Sequence, residues 1–158
     1  MTTTLVRVGD VRELRVVDGL TRTQIVQYAG ASGDYNPLHT DEVFARDTAH
    51  LPTVFAHGML TMGMTGRLLT DWFGAEHITS YSARFVAQVW PGDALTARAT
   101  VDQVLESDGV LEITLSLQTT NQYDGVALAG AAVIRLQVEP SHGAVSSRLT
   151  RPGQVHNE

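Results

Sequence analysis

The 158-residue chain contains no cysteine, and that absence alone removes a thiol nucleophile, a disulfide framework and most structural zinc sites. Lysine is missing too, so all 11 basic residues are arginine. Schiff-base chemistry is therefore excluded, and any phosphate on a ligand must be met by Arg or by backbone N–H groups. The net charge is −6 and no arginine cluster offsets it, so nucleic acid is not an expected partner. No apolar run approaches bilayer length, and the opening Met-Thr-Thr-Thr-Leu-Val-Arg lacks the apolar core of a signal peptide; no membrane partner and a cytoplasmic location are expected. His50, His77, His142 and His156 show no ligand spacing and there is no HExxH motif, so no metal is expected.

What is present reads as one soluble globular domain. Hydrophobic residues make up 43% and charged residues 18%, in a length that can bury a core unaided. There is no internal repeat. A single domain is expected over 1–138, and the Pro, Gly, Ser and His of 139–158 suggest a flexible C-terminal tail.

Leu14–Val17 reads as a short strand, and Thr21-Arg22-Thr23-Gln24 has the form of a capping box, predicting a helix over about 22–30 that Gly30 and Gly33 end. Thr40 is the expected cap of a second short helix, with Asp41 and Glu42 in its first turn. Gly58–Phe73 is the longest helical candidate, apolar or small almost all round until Arg67 and Asp71, and so expected to be buried. Gly63 and Gly66 within it suggest close approach to a sheet. From Ile78 onward the period becomes two. Leu95, Ala97, Ala99 and Val101 share one face, and Leu111, Ile113, Leu115 and Leu117 another, with turns at 91–93, 107–109 and 124–125. This predicts an antiparallel meander and an α+β fold. The last strand, Val126–Val138, carries Ala127, Ala129, Ala131 and Val133 on its second face, which suggests cover on both sides.

The densest chemistry lies between Tyr28 and His39. Pro37 lacks an N–H and biases Asn36 toward extended dihedrals, so the preceding helix must stop first. Asn36 can close an Asx-turn that stiffens the loop. Asp34 and His39 then stand on either side of a fixed bend, able to address one water from two directions as a general acid/base pair. Downstream, His57-Gly58 opens the long helix, whose first N–H groups can meet a developing anion.

The string Ala31-Ser32-Gly33-Asp34-Tyr35-Asn36-Pro37-Leu38-His39, followed by Phe55-Ala56-His57-Gly58-Met59-Leu60, closely resembles the MaoC-like (R)-specific enoyl-CoA hydratase, or hydratase 2, family. Ser82-Ala83-Arg84-Phe85-Val86 and Val89-Trp90-Pro91-Gly92-Asp93 extend the likeness, which covers about residues 5–138. The resemblance implies a hot-dog fold, a long central helix wrapped by an antiparallel sheet. It implies a lyase of fatty acid metabolism that adds water to 2-enoyl thioesters, or removes it from (3R)-3-hydroxyacyl thioesters, with coenzyme A or acyl carrier protein as thioester carrier and no other cofactor. Asp34 and His39 match the family's catalytic pair, Asn36 its supporting Asn, and Gly58 the position whose backbone N–H polarises the thioester carbonyl. A homodimer is the expected assembly, a heterodimer with a related subunit the alternative.

Other candidates carry two readings each. His57 is either a structural His at the helix start or a contact near the substrate. Arg84 is either a phosphate contact or a solvent-facing strand residue. Met59, Met62 and Met64 either line an acyl tunnel or pack the core. The competing functions are thioester hydrolysis on the same fold and a non-catalytic acyl-thioester-binding subunit.

Overall fold

The capping box at Thr21 forms as the sequence predicts: the Gln24 amide N–H donates to the Thr21 hydroxyl at 3.1 Å, and the Thr21 N–H to the Gln24 side chain at 2.9 Å. The helix it starts, α1 (Arg22–Ser32), runs through Gly30 and ends at Gly33, whose φ of 75° is the left-handed cap glycine favours. This is a computed structural model, and it describes residues 6–138; the tail expected over 139–158 lies outside them. Around α1 the order is β1 (Val11–Val17), α2 (Pro37–Thr40), a π-helical turn (Phe44–Thr48), α3 (Gly58–Phe73), a short 3-10 turn (Ala75–His77), β2 (Ile78–Phe85), β3 (Leu95–Ser107), β4 (Val110–Thr120) and β5 (Val126–Gln137). Among the described residues no helix is long and apolar enough to cross a membrane.

The strands form one antiparallel sheet in the order β1-β3-β4-β5-β2. β3, β4 and β5 are the meander that alternation predicts, and Asp108 and Gly109, with φ of 53° and 75°, make the tight β3–β4 turn. β2 departs from that expectation. It pairs with β5 at the far edge rather than with β3, because residues 86–94 are long enough to cross the end of the sheet. That connection is pinned by Ala56 N–H to Val89 O and Gly92 N–H to Leu20 O, at 2.8 and 2.7 Å, and it later forms one wall of the site.

α3 lies across the sheet, touching β1, β2, β3 and β5. Leu68 and Leu69 pack with Ala97, Ala99, Val101, Ile113, Leu115 and Leu117, so the faces read from the sequence are the buried ones. The helix is only half buried, however: Thr61, Thr65, Leu68 and Leu69 face inward while Met59 is 55% exposed. Gly63 has open space where a Cβ would stand, and at Gly66 the neighbour is the Tyr81 ring at 3.3 Å, not sheet backbone. Close approach to the sheet comes instead from the small strand residues Ala97, Ala99 and Ala132. The outer face of β5 is also less covered than expected, with Ala131 exposed.

The second helical stretch is capped by Asp41, not Thr40. The Asp41 carboxylate accepts from the Val43 and Phe44 amides at 2.9 and 3.0 Å, whereas Thr40 closes the preceding helix, α2. Glu42 then gathers this region. It accepts from the Thr53 hydroxyl at 2.8 Å and pairs with Arg22 and Arg46 at 2.7 and 2.8 Å, tying α1, the π-helical turn and the approach to α3 together.

Candidate active site

Asn36 has two jobs in the loop. Its side-chain oxygen accepts from the Leu38 amide at 3.0 Å, capping α2, and Pro37 follows at the first helical position, where a missing N–H costs nothing. One turn later His39 is carried inward and is 8% exposed. Its Nδ1 lies 2.7 Å from the Phe55 carbonyl, an acceptor, so Nδ1 holds the hydrogen and Nε2 is left as the open nitrogen. Burial of the ring holds the His39 pKa below its ordinary 6.5, against the opposing pull of the Phe55 carbonyl. Near neutral pH the ring is a base with its lone pair on Nε2.

Asp34 stays exposed at the loop. A carboxylate oxygen of Asp34 and ring nitrogens of His39 and His57 lie within 4.8 Å of one another. One water can span such a gap with two hydrogen bonds of about 2.8 Å. The same three residues are a donor set of the kind that holds a metal. The two histidine rings stack at 3.8 Å between centroids and 31° between planes, and His39 Nδ1 and His57 Nε2 are each held by a main-chain carbonyl at 2.7 and 2.9 Å.

Beside the pair opens a cavity of about 370 Å³ whose wall includes Asn36, His39, Phe55, Gly58, Phe85 and Gln88. Gly58 is the first residue of α3. The amides of Leu60 and Thr61 return to the His57 carbonyl at 3.1 and 3.3 Å, which leaves the Gly58 N–H as one of the unpaired groups of a helix start, free for an oxyanion. A Cβ at Gly58 would fall 2.7 Å from the Phe85 ring, so glycine is required first by Phe85.

The structure thus brings together Asp34, Asn36, His39, His57 and Gly58. It does not bring in Met59, Met62 or Arg84, none of which lines the cavity. Met64 packs in the core beneath. Arg84 is exposed and alternates with Phe85, whose ring faces α3, so it lies on the opposite face of β2. Sequence reasoning missed Phe55, whose carbonyl sets the His39 tautomer, and Phe85. Only their places within two of the quoted motifs hinted at either.

A half-wrapped helix, a five-stranded antiparallel sheet and an Asp34–His39 loop beside the helix N-terminus define a hot-dog domain. The chain belongs to the MaoC-like domain family, whose model matches residues 4–122. It is 31% identical to an (R)-specific enoyl-CoA hydratase of Aeromonas caviae over 72% of this chain and 84% of that protein. It is 41% identical to the 3-hydroxyacyl-thioester dehydratase Y of Mycobacterium tuberculosis over 51% of this chain and 29% of that one. The solved (R)-hydratase from A. caviae involved in PHA biosynthesis superposes with a TM-score of 0.72 at 27% identity, over 87% of this chain and all of the other. The chain spans less than a third of the first curated relatives it matches.

Proposed function

We propose that this domain hydrates trans-2-enoyl thioesters to (3R)-3-hydroxyacyl thioesters and catalyses the reverse dehydration, a hydro-lyase step of fatty acid metabolism. The observation that carries the reading is the Asp34 carboxylate within 4.8 Å of a ring nitrogen of His39, beside a cavity that His39 and Gly58 both line. Asp34 accepts one O–H of the water and holds it. His39 Nε2 takes the other proton as the oxygen bonds to C3, and the C2–C3 π electrons pass toward the thioester oxygen. That oxygen becomes enolate-like and is met by the Gly58 N–H, a donor whose loss typically costs about 2.7–4 kcal/mol of barrier. The imidazolium, made acidic by its burial, then returns the proton to C2 on the same face. Water is consumed, syn addition results, and no metal or redox cofactor enters. Coenzyme A or acyl carrier protein carries the acyl group.

The same reading includes a second subunit. β2 is an edge strand, and Phe85 and Val86 at its end are exposed beside the cavity, a surface that a homodimer joined edge to edge would cover. Light scattering should give twice the chain mass; a stable monomer rejects this part.

The assay follows loss of the conjugated enoyl absorbance and release of free thiol in parallel, with chiral analysis of the product. Hydration without thiol release, giving the (R)-alcohol, is expected, and Asp34→Asn and His39→Ala should each lower kcat/KM by about 10²–10⁴-fold. Thiol release would point to a thioesterase, and binding without turnover to a non-catalytic subunit. Undiminished activity in both variants, or an (S)-product, rejects the mechanism.

A further inference from the structure

His57 is 2% exposed and takes no part in the cavity wall, yet it touches both members of the acid/base pair. Its Nε2 lies 2.9 Å from the main-chain carbonyl of Asp34, 23 residues earlier. A carbonyl only accepts, so Nε2 carries the hydrogen and donates it. One face of the ring stacks on His39 at 3.8 Å, and the Tyr28 ring lies 5.0 Å from it.

Local contacts hold Asp34 weakly by comparison. Its amide N–H donates to the Ser32 hydroxyl oxygen and its carboxylate accepts from the Asn36 amide, both at 3.2 Å, the long end of the hydrogen-bond range. The His57 bond is the shortest that residue 34 makes and the one that ties it to α3. His57 gives up another use for this, since as the N-cap of α3 it makes no side-chain cap bond.

We propose that His57 is a positioning residue for the pair, anchoring the Asp34 main chain through Nε2–H while its ring face sets the plane of His39. The proposal rests on the hydration reading above. It places no part of His57 on the substrate. The His39 ring is also faced by both charged and titratable neighbours, Asp34 and His57, and their influences on its protonation oppose one another.

Two substitutions separate the contacts. His57→Phe keeps a ring against His39 and loses the donor; His57→Gln keeps an amide N–H near the position of Nε2 and loses the ring. In His57→Phe, kcat should fall about 100-fold, the effect of a displacement near 1 Å, with KM little changed. In His57→Gln most of kcat should return while the acid limb of the pH profile moves upward, because the ring that helps to depress His39 is gone. In an Asp34→Asn background His57→Phe should add little further loss, as expected of groups that act as one unit. Wild-type kcat in His57→Phe, a loss that merely tracks the folded fraction, or an undiminished loss in the Asp34→Asn background overturns the proposal. Nitrogen NMR of the histidine rings needs no substrate. Hydrogen on Nε2 of His57 and Nδ1 of His39, with the Asp34 signals displaced in His57→Phe, is expected even if the wild-type protein fails to hydrate enoyl thioesters; the opposite tautomers overturn the positioning role by themselves.

Discussion

Gly58→Ala adds one methyl at the point where the helix start, the cavity and the β2 edge meet. The new Cβ would lie 2.7, 2.8 and 2.9 Å from Cδ2, Cε2 and Cγ of Phe85, whereas carbon atoms rest at about 3.5–4.0 Å. Something must therefore move by about 1 Å. Phe85 is 47% exposed at the end of an edge strand, so its ring gives way more easily than the helix does. Overpacking of this kind should cost about 1–2 kcal/mol, a fall in Tm of roughly 3–6 °C for a chain of this size. The effect on rate should be larger. A 1 Å error in the Gly58 N–H or the cavity wall costs about 100-fold, or about 2.7 kcal/mol, which is the lower bound for losing an oxyanion donor outright. The assay is kcat/KM for a short enoyl-CoA beside a thermal melt. Phe85→Ala provides the decisive control, because with the ring removed the alanine at 58 has room. Relative to Phe85→Ala alone, the double variant should then lose little. If Gly58→Ala keeps the wild-type rate, or if removing the Phe85 ring restores nothing, the glycine serves something other than the packing of Phe85.

The depressed pKa of His39 sets the sign of two pH effects. Burial lowers the His39 pKa below 6.5 in the folded protein, so the acid limb of kcat/KM for hydration should have its midpoint below 6.5; a midpoint above 6.5 would refute the burial argument. Stability follows the same direction, since the unfolded chain takes up the proton first and the contribution present above 6.5 is lost as pH falls. Glu42 is also depressed below its ordinary 4.5, first by the Thr53 hydroxyl and then by Arg22; its contribution is present above 4.5 and lost as pH falls through the lower folded value, and Glu42→Gln should flatten that acid limb in denaturant titrations. The Tyr81 hydroxyl donates to the Met62 carbonyl at 2.7 Å, and burial has pushed its pKa up to about 12. Tyr81→Phe should cost about 1 kcal/mol in urea unfolding, and an unchanged midpoint would show that the bond contributes nothing net.

Features that a short stretch of chain determines were legible in advance. The Thr21–Gln24 box, the left-handed turn at Gly33, the Asp108-Gly109 hairpin and the buried faces of β3 and β4 are each decided within a few residues. So was the Asn36-Pro37 bend that precedes His39. The position of β2 was not, because alternation fixes which side of a strand is buried and carries no information about its neighbour. Gly63 and Gly66 misled for a related reason: glycine signals room, and only the packed structure shows that Tyr81 takes it at Gly66 while nothing takes it at Gly63. At the site, residue types were readable and their bonds were not. Nothing local relates His39 to a carbonyl 16 residues away, or His57 to one 23 residues earlier.

Those distant bonds decide whether the motif can work at all. Five residues along a bent loop do not by themselves bring a carboxylate and an imidazole together, since each free side chain retains rotamers that conformational entropy favours. Convergence depends on His39 N–H to the Phe55 carbonyl at 2.7 Å, the Phe55 amide to the Leu38 carbonyl at 3.2 Å, and the Ala56 amide to the Val89 carbonyl at 2.8 Å. The first two lock the loop to the segment before α3, and the third locks that segment to the crossover between β2 and β3. The crossover exists only because β2 lies at the far edge of the sheet. The strand order that local pattern could not supply is therefore the feature that closes the cavity wall and holds Phe55 where His39 needs its carbonyl. Each such bond nets only about 1 kcal/mol, but leaving a buried partner unpaired costs about 1–3 kcal/mol. The loop geometry is thus tied to folding of the whole sheet, and the string Gly-Asp-Tyr-Asn-Pro-Leu-His acquires its chemistry only inside this topology.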